Sequence, residues 1–517
     1  MALLYLSERL ESIRSPFPLT VIIFVASYIL WRLWTFTISP ALQPKEPILI
    51  PYLVPGWGHA GWLYRDQIGL FKYGSAYAGT HPFALYAAGR TIYVMSNLAD
   101  INAMYKSGPS ISFEESNRQF FIQQQGMSKA GDELMYTEGH QGPFPNPHSK
   151  SMGALVHDVI RANLESSAEL DNLADVFQTH LARQMRTIPK QCIVGSSEEW
   201  TDVSLMKLCQ WTVLPAGSDT FYGPKLQDLC EENFTQTFIT FDDNVSKMLQ
   251  GLPKFMAKEC FRCRKLLLDA VKKYNDTPQE QRGQSSKLAK QFEGEMRAAG
   301  IVDDDLAINV FFSNWLFNVN TFKLAFWMLS WITADATLHS SILTELDSVC
   351  KSDYPAVTDL LNSCPTLNAV FDETQRLTVA ALSSRVVCED TDINGWTFRA
   401  GGLILVSYRS LHFQKPVFGE NIDEFDHTRF LHKTLNRDKN FKPFGGGPTL
   451  CTGRFLARRE VLIFVAMLLT DWSMVRQSKE MPELELLKPS LGTVSPKQGH
   501  EVIMRLRRRQ HRSKGNQ

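Results

Sequence analysis

Residues 441–460 read FKPFGGGPTLCTGRFLARRE and place one cysteine between three consecutive glycines and an apolar, helix-like stretch. Phe444, Gly447, Cys451 and Gly453 form the pattern F-x-x-G-x-x-x-C-x-G. Glycine runs are entropically costly to order, so they indicate a backbone that bends tightly or passes close to a flat ligand. A cysteine at the mouth of a helix is stabilised as a thiolate by the helix dipole, and a thiolate can ligate iron. A purely structural cysteine under a turn would not require these glycines.

A second motif lies upstream, in FDETQRL, where Glu373 and Arg376 are three residues apart and therefore share one face of a helix. An exposed ion pair is the commonest explanation of such spacing, but the neighbouring residues here are apolar. Burial of this pair would require a further charged partner. Arg429, in PVFGENIDEFDHTRF, comes shortly before the cysteine stretch and is the candidate for that partner.

The stretch PLTVIIFVASYILWRLWTFTI, residues 18–38, contains one charge, Arg32. It is long enough to cross the roughly 30 Å hydrocarbon core of a bilayer as a helix. Trp31 and Trp34 suit a membrane interface, and the stretch lacks the short apolar core and small-residue cleavage site of a signal peptide. We therefore expect a retained membrane anchor.

The domain organisation follows from this anchor. Five prolines lie within the sixteen residues 40–55, where they predict a stiff extended connector. No later segment reads as a linker. The predicted boundaries are 1–38 for the N-terminal segment and anchor helix, 39–56 for a proline-rich hinge, and 57–517 for one catalytic domain.

Composition excludes some classes of partner. Lysines and arginines balance aspartates and glutamates at 54 each, so nothing indicates nucleic acid as a ligand. The nine cysteines are an odd number scattered through a long chain, which is a poor disulfide framework. A reducing compartment is the better expectation.

The apolar spacing predicts a mainly α protein with a minor β region. Apolar residues recur at helical spacing over 150–185, 225–275, 301–332, 337–352 and 453–472. Two short stretches have strand character instead: a hairpin is predicted at 83–96 around Gly89, and a strand at 401–408.

The order of the motifs, from the apolar N-terminal segment through E-x-x-R to the cysteine loop, resembles the cytochrome P-450 superfamily of haem-thiolate enzymes. The resemblance is to microsomal members, including fungal biosynthetic ones. It implies the cytochrome P-450 fold preceded by one transmembrane helix, and haem b (iron protoporphyrin IX) as the cofactor.

The resemblance also implies roles for particular residues. Cys451 corresponds to the axial ligand of the haem iron, and Glu373, Arg376 and Arg429 correspond to a structural network behind the haem. The other implied cofactor-binding residues are Phe444, Gly445, Gly453, Arg385 and Arg454.

Some positions depart from the family pattern. Thr449 stands where many members have a propionate-binding arginine or histidine. No W-x-x-x-R occurs in the 110–165 region for the second propionate, and His148 and Lys150 are the substitutes considered there.

The helix expected above the haem departs most. Members of the family usually carry a small pair followed by an acid and a threonine, which relay protons, whereas residues 315–327 read WLFNVNTFKLAFW. Thr321 keeps the hydroxyl, Asn320 takes the place of the acid, and Asn318 lies in the small pair. This pattern resembles the branch that holds cholesterol 7α-hydroxylase and prostacyclin synthase. We expect Thr321, Asn320 and Asn318 to line the catalytic cavity, with simple helix polarity as the alternative for the asparagines.

The implied activity is a monooxygenase that oxidises a lipophilic small molecule with O₂. The substrate would have a terpenoid, steroid or polyketide-type skeleton, as in secondary metabolite biosynthesis. Electrons would come from NADPH through a cytochrome reductase, with Lys442, Arg454, Arg458 and Arg459 as a basic docking patch. The anchor would sit in the endoplasmic reticulum membrane as a single span, with the catalytic domain in the cytosol.

Three other functions remain open from the sequence. A haem-thiolate isomerase or dehydratase, acting without reductase on an oxygenated substrate, would not need the missing acid. A magnesium-dependent terpene cyclase is suggested only by Asp242-Asp243 and by the acidic run 303–305. A non-catalytic haem carrier would not need Thr321.

Overall fold

The computed structural model describes residues 16–350, 354–432 and 434–509. These residues form two compact units. The first contains the described residues up to Leu63, then Gly69–Ile111 and Val386–Leu405; the second contains Tyr64–Ile68, Ser112–Arg385 and the described residues from Val406 onward. The sequence-predicted domain boundaries at 38 and 56 stay predictions.

Most of the described chain is helical. The helices of the first half are α1 (Pro16–Leu33), α2 (Ser39–Leu42), α3 (Ala60–Arg65), α4 (Gln67–Ala78), α5 (Leu98–Met104), α6 (Phe113–Phe120), α7 (Lys129–Tyr136), α8 (Met152–Leu164), α9 (Ser167–Gln184), α10 (Leu205–Tyr222), α11 (Lys225–Asp228), α12 (Phe234–Leu249) and α13 (Lys258–Asp276). Those of the second half are α14 (Lys287–Ala298), α15 (Asp303–Asn318), α16 (Thr321–Ala334), α17 (Ala336–Val349), α18 (Val357–Ser363), α19 (Pro365–Thr378), α20 (Tyr408–His412), α21 (Lys415–Phe418), α22 (Thr428–His432) and α23 (Arg454–Asp471).

The strands form small sheets. They are β1 (Ile48–Leu49), β2 (Phe83–Ala87), β3 (Arg90–Met95), β4 (Ile111–Ser112), β5 (Ile193–Ser196), β6 (Thr201–Ser204), β7 (Leu382–Val387), β8 (Thr391–Ile393), β9 (Trp396–Phe398), β10 (Leu403–Ser407), β11 (Trp472–Arg476) and β12 (Ile503–Arg508). Their orders are β1-β2-β3-β10-β7-β4, then β11-β12-β6-β5, then the pair β8-β9. The prediction of a mainly α protein with a minor β region is confirmed.

The N-terminal apolar segment is a long helix, as predicted. Leu19–Leu42 has a mean hydropathy of 1.8, and none of it is buried in the protein, so it is a candidate membrane span. The helix runs past residue 38 because a π-turn at Trp34–Ile38 shifts the hydrogen-bond ladder, and Ser39 N–H donates to Trp34 O. Pro40, which lacks an N–H, is thereby accommodated in α2.

The connector after the anchor packs back against it within the first unit. Arg32 Nη1 donates to Tyr52 O at 2.6 Å, and Tyr28 Oη donates to Leu53 O at 2.9 Å. The Tyr52 ring also stacks on Tyr86 of β2, with centroids 5.6 Å apart. The C-terminal part of the segment predicted as a hinge therefore contacts both α1 and β2.

The hairpin predicted at 83–96 is confirmed as β2 and β3, which pair antiparallel from Phe83↔Val94 to Ala87↔Arg90. Its two-residue turn places Ala88 at φ 47° and Gly89 at φ 91°. Positive φ at both central residues matches the right-handed twist of the strands.

The helices of the second unit surround α16 and α23. Helix α16 packs against α10, α19 and α23, and α9 packs against α10 and α23. Every residue of α23 from Glu460 to Leu469 is buried, which explains why its apolar positions extend around the whole helix. The helix after the cysteine is therefore central to the core.

The long helix predicted at 301–332 is present but broken. Helix α15 ends at Asn318 and α16 begins at Thr321, with Val319 and Asn320 between them. The break falls among the polar residues on which the sequence-based site prediction depends.

Candidate functional site

The cysteine loop joins the end of a turn to α23. Gly445 and Gly447 have φ values of 75° and 64°, which side chains with a Cβ rarely adopt. Cys451 N–H donates to Phe444 O at 3.0 Å, which closes the loop. The glycines are therefore required by the backbone path that presents the cysteine.

The environment of the Cys451 thiol contains opposing influences. Burial is the larger influence and raises the pKa of the thiol, while the backbone N–H groups of Gly453 and Arg454 and the charge of Arg454 oppose this rise. The side chain is also solvent-accessible. An accessible sulfur with N–H donors directed at it is suited to bind a metal as a thiolate. The half-buried ring of Phe444 lies at the start of the same loop.

A buried charge network lies on α19 and the segment that precedes the cysteine loop. Glu373 and Arg376 are both fully buried and form two bonds of 2.7 Å, through Nε and Nη2 of the arginine. Arg429 Nε donates to the same carboxylate at 3.3 Å, as does Asp426 N–H at 3.0 Å. The structure thus brings Glu373, Arg376 and Arg429 together, and burial is balanced by a full set of partners.

His412 connects this network to the cysteine loop. Arg376 Nη1 donates to His412 O at 3.2 Å, and the His412 Nε2 accepts from Lys442 N–H at 3.0 Å. Burial and the charges of Arg409 and Arg376 lower the pKa of His412 to about 3, so the ring is neutral and can accept at Nε2. The role of His412 could not be predicted from the sequence, because only the fold shows that its ring is buried.

The Arg385 side chain is almost fully buried and lies beside the loop. Its Nη2 donates to Thr449 Oγ1 and its Nη1 to Ser383 Oγ, both at 2.7 Å. The threonine that departs from the family pattern therefore orients the neighbouring arginine. The guanidinium also lies over the Phe113 ring, 5.7 Å from its centroid.

The basic residues on the cysteine side are largely ion-paired. Arg454 Nη2 bonds Glu165 Oε1 at 2.7 Å, and its Nη1 donates to the Cys451 carbonyl. The two following arginines are paired as well: Arg458 with Asp372, and Arg459 with Asp171. These charges are therefore partly compensated within the protein.

Within the described residues, the two substitutes considered for a second propionate ligand form no hydrogen bond or ion pair with the cysteine loop. His148 is exposed, and Lys150 is ion-paired with Asp158. Another histidine, His157 of α8, reaches the cysteine loop: its Nε2 lies 3.4 Å from Leu450 O.

At the helix break, Thr321 contacts an acid that the sequence analysis did not single out. Thr321 Oγ1 donates to Glu460 Oε2 at 3.2 Å, and both side chains are buried. Burial raises the pKa of Glu460 to about 8, so the carboxyl is largely protonated at neutral pH. Its Oε1 has no hydrogen-bond partner among the described residues. Glu460 is the last residue of the 441–460 stretch quoted above, but only the three-dimensional structure shows that it is buried.

The predicted site residues Asn320 and Asn318 form hydrogen bonds with groups other than Glu460. Asn320 Oδ1 accepts from Thr493 N–H at 2.8 Å, so its amide holds a distant segment against the helix break. Asn318 Nδ2 donates to the Asn314 carbonyl at 2.8 Å and packs against Gly217 of α10. The structure therefore brings Thr321 next to Glu460, while both asparagines bond to protein groups.

These residues fit an iron porphyrin. The cysteine loop offers an accessible sulfur donor and the half-buried ring of Phe444, and the buried guanidinium of Arg385 beside the loop suits an anionic group. Together with the mostly helical fold, they define the class of haem-thiolate proteins.

Comparison with known proteins identifies the family. Residues 219–504, more than half of the chain, match the cytochrome P-450 family, and the chain belongs to it. The predicted resemblance and fold are thereby confirmed.

Several curated relatives are similar over most of their length. Cytochrome P-450 monooxygenase poxD of Penicillium oxalicum is 25% identical over 468 residues, 86% of this chain and 91% of the relative. Cholesterol 7-alpha-monooxygenase of Cricetulus griseus is 21% identical over 69% of this chain and 76% of its own. Prostacyclin synthase of Bos taurus is 24% identical over 66% of this chain and 73% of its own. The family and the two relatives named as monooxygenases make the chain a cytochrome P-450 monooxygenase, as predicted.

Proposed function

We propose that this monooxygenase oxidises a lipophilic small molecule with a terpenoid, steroid or polyketide-type skeleton, as part of secondary metabolite biosynthesis. Electrons come from NADPH through a separate cytochrome reductase. The N-terminal helix anchors the enzyme in the endoplasmic reticulum membrane, with the catalytic domain in the cytosol. Fungal relatives named as monooxygenases support this proposal.

Haem b would be held by the sulfur of Cys451, with Arg385 available for a propionate and Phe444, Gly445, Gly453 and Arg454 around the loop. When bound, the haem supplies activation of O₂ and oxidation of an unactivated C–H bond. The cysteine loop fixes where the sulfur lies, and the N–H groups of its helix favour the thiolate.

The buried Thr321–Glu460 pair is the observation that carries the proposal. Oxygen activation consumes protons, and a carboxyl that stays protonated near neutral pH can hold one beside a hydroxyl. Thr321 passes the proton toward the cavity, and Glu460 supplies it in place of the acid missing at Asn320. An isomerase or dehydratase does not reduce O₂ and has no net demand for protons, so a proton supply favours the monooxygenase.

A lipophilic substrate is supported by the aromatic side chains near the helix break. Phe120 and Phe312 have ring centroids 5.2 Å apart and are only partly buried, and Phe317 stacks on Phe221. Partly exposed aromatic rings favour apolar ligands.

The test measures product formed from extracts or a compound library, with and without reductase and NADPH. We expect product only with the full electron supply. We also expect Glu460→Gln to lower the product formed per NADPH consumed. Glu138→Gln, which alters an exposed carboxylate, serves as the control. Product without reductase would favour the isomerase or dehydratase alternative.

A further inference from the structure

A π-turn at Phe121–Gln125 links the aromatic cluster of Phe120, Phe121 and Phe312 to a polar corner. At one end, the Phe121 ring packs edge-on against Phe312 of α15, with centroids 5.0 Å apart. At the other end, Gln125 is 1% exposed, and Gly126 closes the turn with φ 70°. Isolated π-turns occur frequently at functional sites, so the polar end merits a functional explanation.

The corner is occupied by Arg264, a partly buried residue of α13. Its Nε donates to Gln125 Oε1 at 3.3 Å, and its Nη2 donates to the Gln125 carbonyl. Within the described part of the chain, no carboxylate bonds to this guanidinium, and burial lowers its pKa. Arg262 on the same helix differs, because it is exposed and pairs with both Glu232 and Glu259.

A second positively charged side chain, Lys247, lies near Arg264. Lys247 of α12 and Arg264 both act on the buried thiol of Cys260, whose pKa they lower against the effect of burial. Lys247 Nζ donates to the neutral amide of Asn244 at 2.9 Å. The corner therefore carries positive charge that the described residues leave uncompensated.

The corner also contains an unsatisfied donor. Gln125 Nε2 is buried and has no hydrogen-bond partner among the described residues. A partly buried guanidinium without an anion and a buried amide without an acceptor are both unfavourable. A carboxylate would relieve both, since it accepts charge-assisted bonds from a guanidinium and a further bond from an amide.

We propose that Arg264 and Gln125 recognise a carboxylate on the lipophilic substrate, so that the natural substrate is an acid. This inference rests on the proposed function. Arg264 is here a specificity residue: it binds one end of the substrate, while the aromatic rings at the other end of the π-turn contact the skeleton.

The test uses the haem-loaded enzyme at neutral pH and two probes, a long-chain fatty acid and its methyl ester, titrated by calorimetry. We expect the wild type to bind the acid at least about tenfold more tightly than the ester. Arg264→Gln should remove this preference, and Arg264→Lys should keep part of it. Arg262→Gln, two residues away, should leave it unchanged.

Each outcome decides the proposal. A wild type without a preference for the acid, whatever its affinity for the ester, would overturn it, as would a preference that survives in Arg264→Gln. The carbon monoxide difference spectrum of each variant reports correct folding and haem binding. Failure of the proposed function would instead appear as a lack of reductase-dependent product in all variants, including the wild type.

Discussion

At the scale of single residues, the site depends on groups whose charge is set by burial. The thiol of Cys451 is enclosed but accessible, Glu460 is a buried acid, and His412 is a buried neutral base. Burial raises the pKa of Glu460 and lowers that of His412, in the direction that each task requires: a proton held on Glu460 beside Thr321, and a lone pair available on His412 for the loop. Burial also raises the pKa of Cys451, and the backbone N–H groups at the start of α23 oppose that rise.

The pKa of Glu460 makes stability depend on pH. Between its ordinary value of 4.5 and about 8, the unfolded chain loses the proton and the folded chain keeps it. The free energy of unfolding therefore falls as the pH rises through this window. We predict that Glu460→Gln removes this loss, so that its Tm relative to the wild type increases by a few degrees from about pH 5 to about pH 8.

Thermal melts of the two proteins, followed by circular dichroism, check this prediction. Glu138→Gln should show no such trend, because that side chain is exposed. A Tm difference between Glu460→Gln and wild type that is constant across the window would contradict the assigned burial of an ionisable acid.

The residues that the sequence predicted at this scale are those with a fixed local pattern. The cysteine loop and the E-x-x-R spacing could be recognised because the chemistry requires adjacent residues. Glu460 and His412 could not, because their roles arise from contacts with Thr321 and Lys442, which are 139 and 30 residues away. A lone acid or histidine in a sequence carries no sign of such a contact.

At the scale of elements, the break between α15 and α16 is the feature that organises the site. Asn320 accepts a bond from Thr493, and Thr321 turns toward α23. The apolar spacing of 301–332 predicted the helix correctly, but periodicity contains no information on a break that is stabilised by distant segments. The π-turns at Trp34–Ile38 and Phe121–Gln125 escaped prediction for the same reason.

The contact between α10 and α15 provides a prediction for packing. A methyl group on Gly217 would overlap Asn318 Oδ1, and that side chain is held by its bonds to Asn314. We predict that Gly217→Ala lowers the free energy of unfolding by about 1–3 kcal/mol. Adding Asn318→Ala should restore part of the loss.

A matched glycine on α14 supplies the control. Gly294 has open space around the position of an added methyl group, so Gly294→Ala should stabilise the protein by about 0.5–1 kcal/mol through helix propensity. Chemical denaturation of the variants measures both effects. Equal responses at the two glycines would mean that α10 and α15 are not as closely packed as described.

At the scale of the whole molecule, the chain combines an exposed apolar helix with a buried helical core. The helix Leu19–Leu42 has no side chains buried in the protein, whereas α23 is surrounded on all sides. This contrast supports the proposal that the first helix lies in lipid, whereas α23 lies in the protein interior.

Removal of residues 1–42 tests this division. We predict that most of the truncated protein leaves the membrane fraction after an alkaline carbonate wash, while the full chain stays. Arg32→Gln, which keeps the span but removes the bond to Tyr52 O, should fractionate like the wild type. An unchanged distribution of the truncated protein would show that another surface holds the enzyme in the membrane.

The central claim is that the Cys451 sulfur binds the haem iron. The carbon monoxide difference spectrum of the reduced enzyme tests it most directly, because the band position reports the axial ligand. Cys388, another accessible cysteine, is the matched control. We predict that Cys388→Ser keeps the thiolate-type band and product formation, and that Cys451→Ser loses both. A Cys451→Ser variant with an unchanged band and unchanged product would contradict the account.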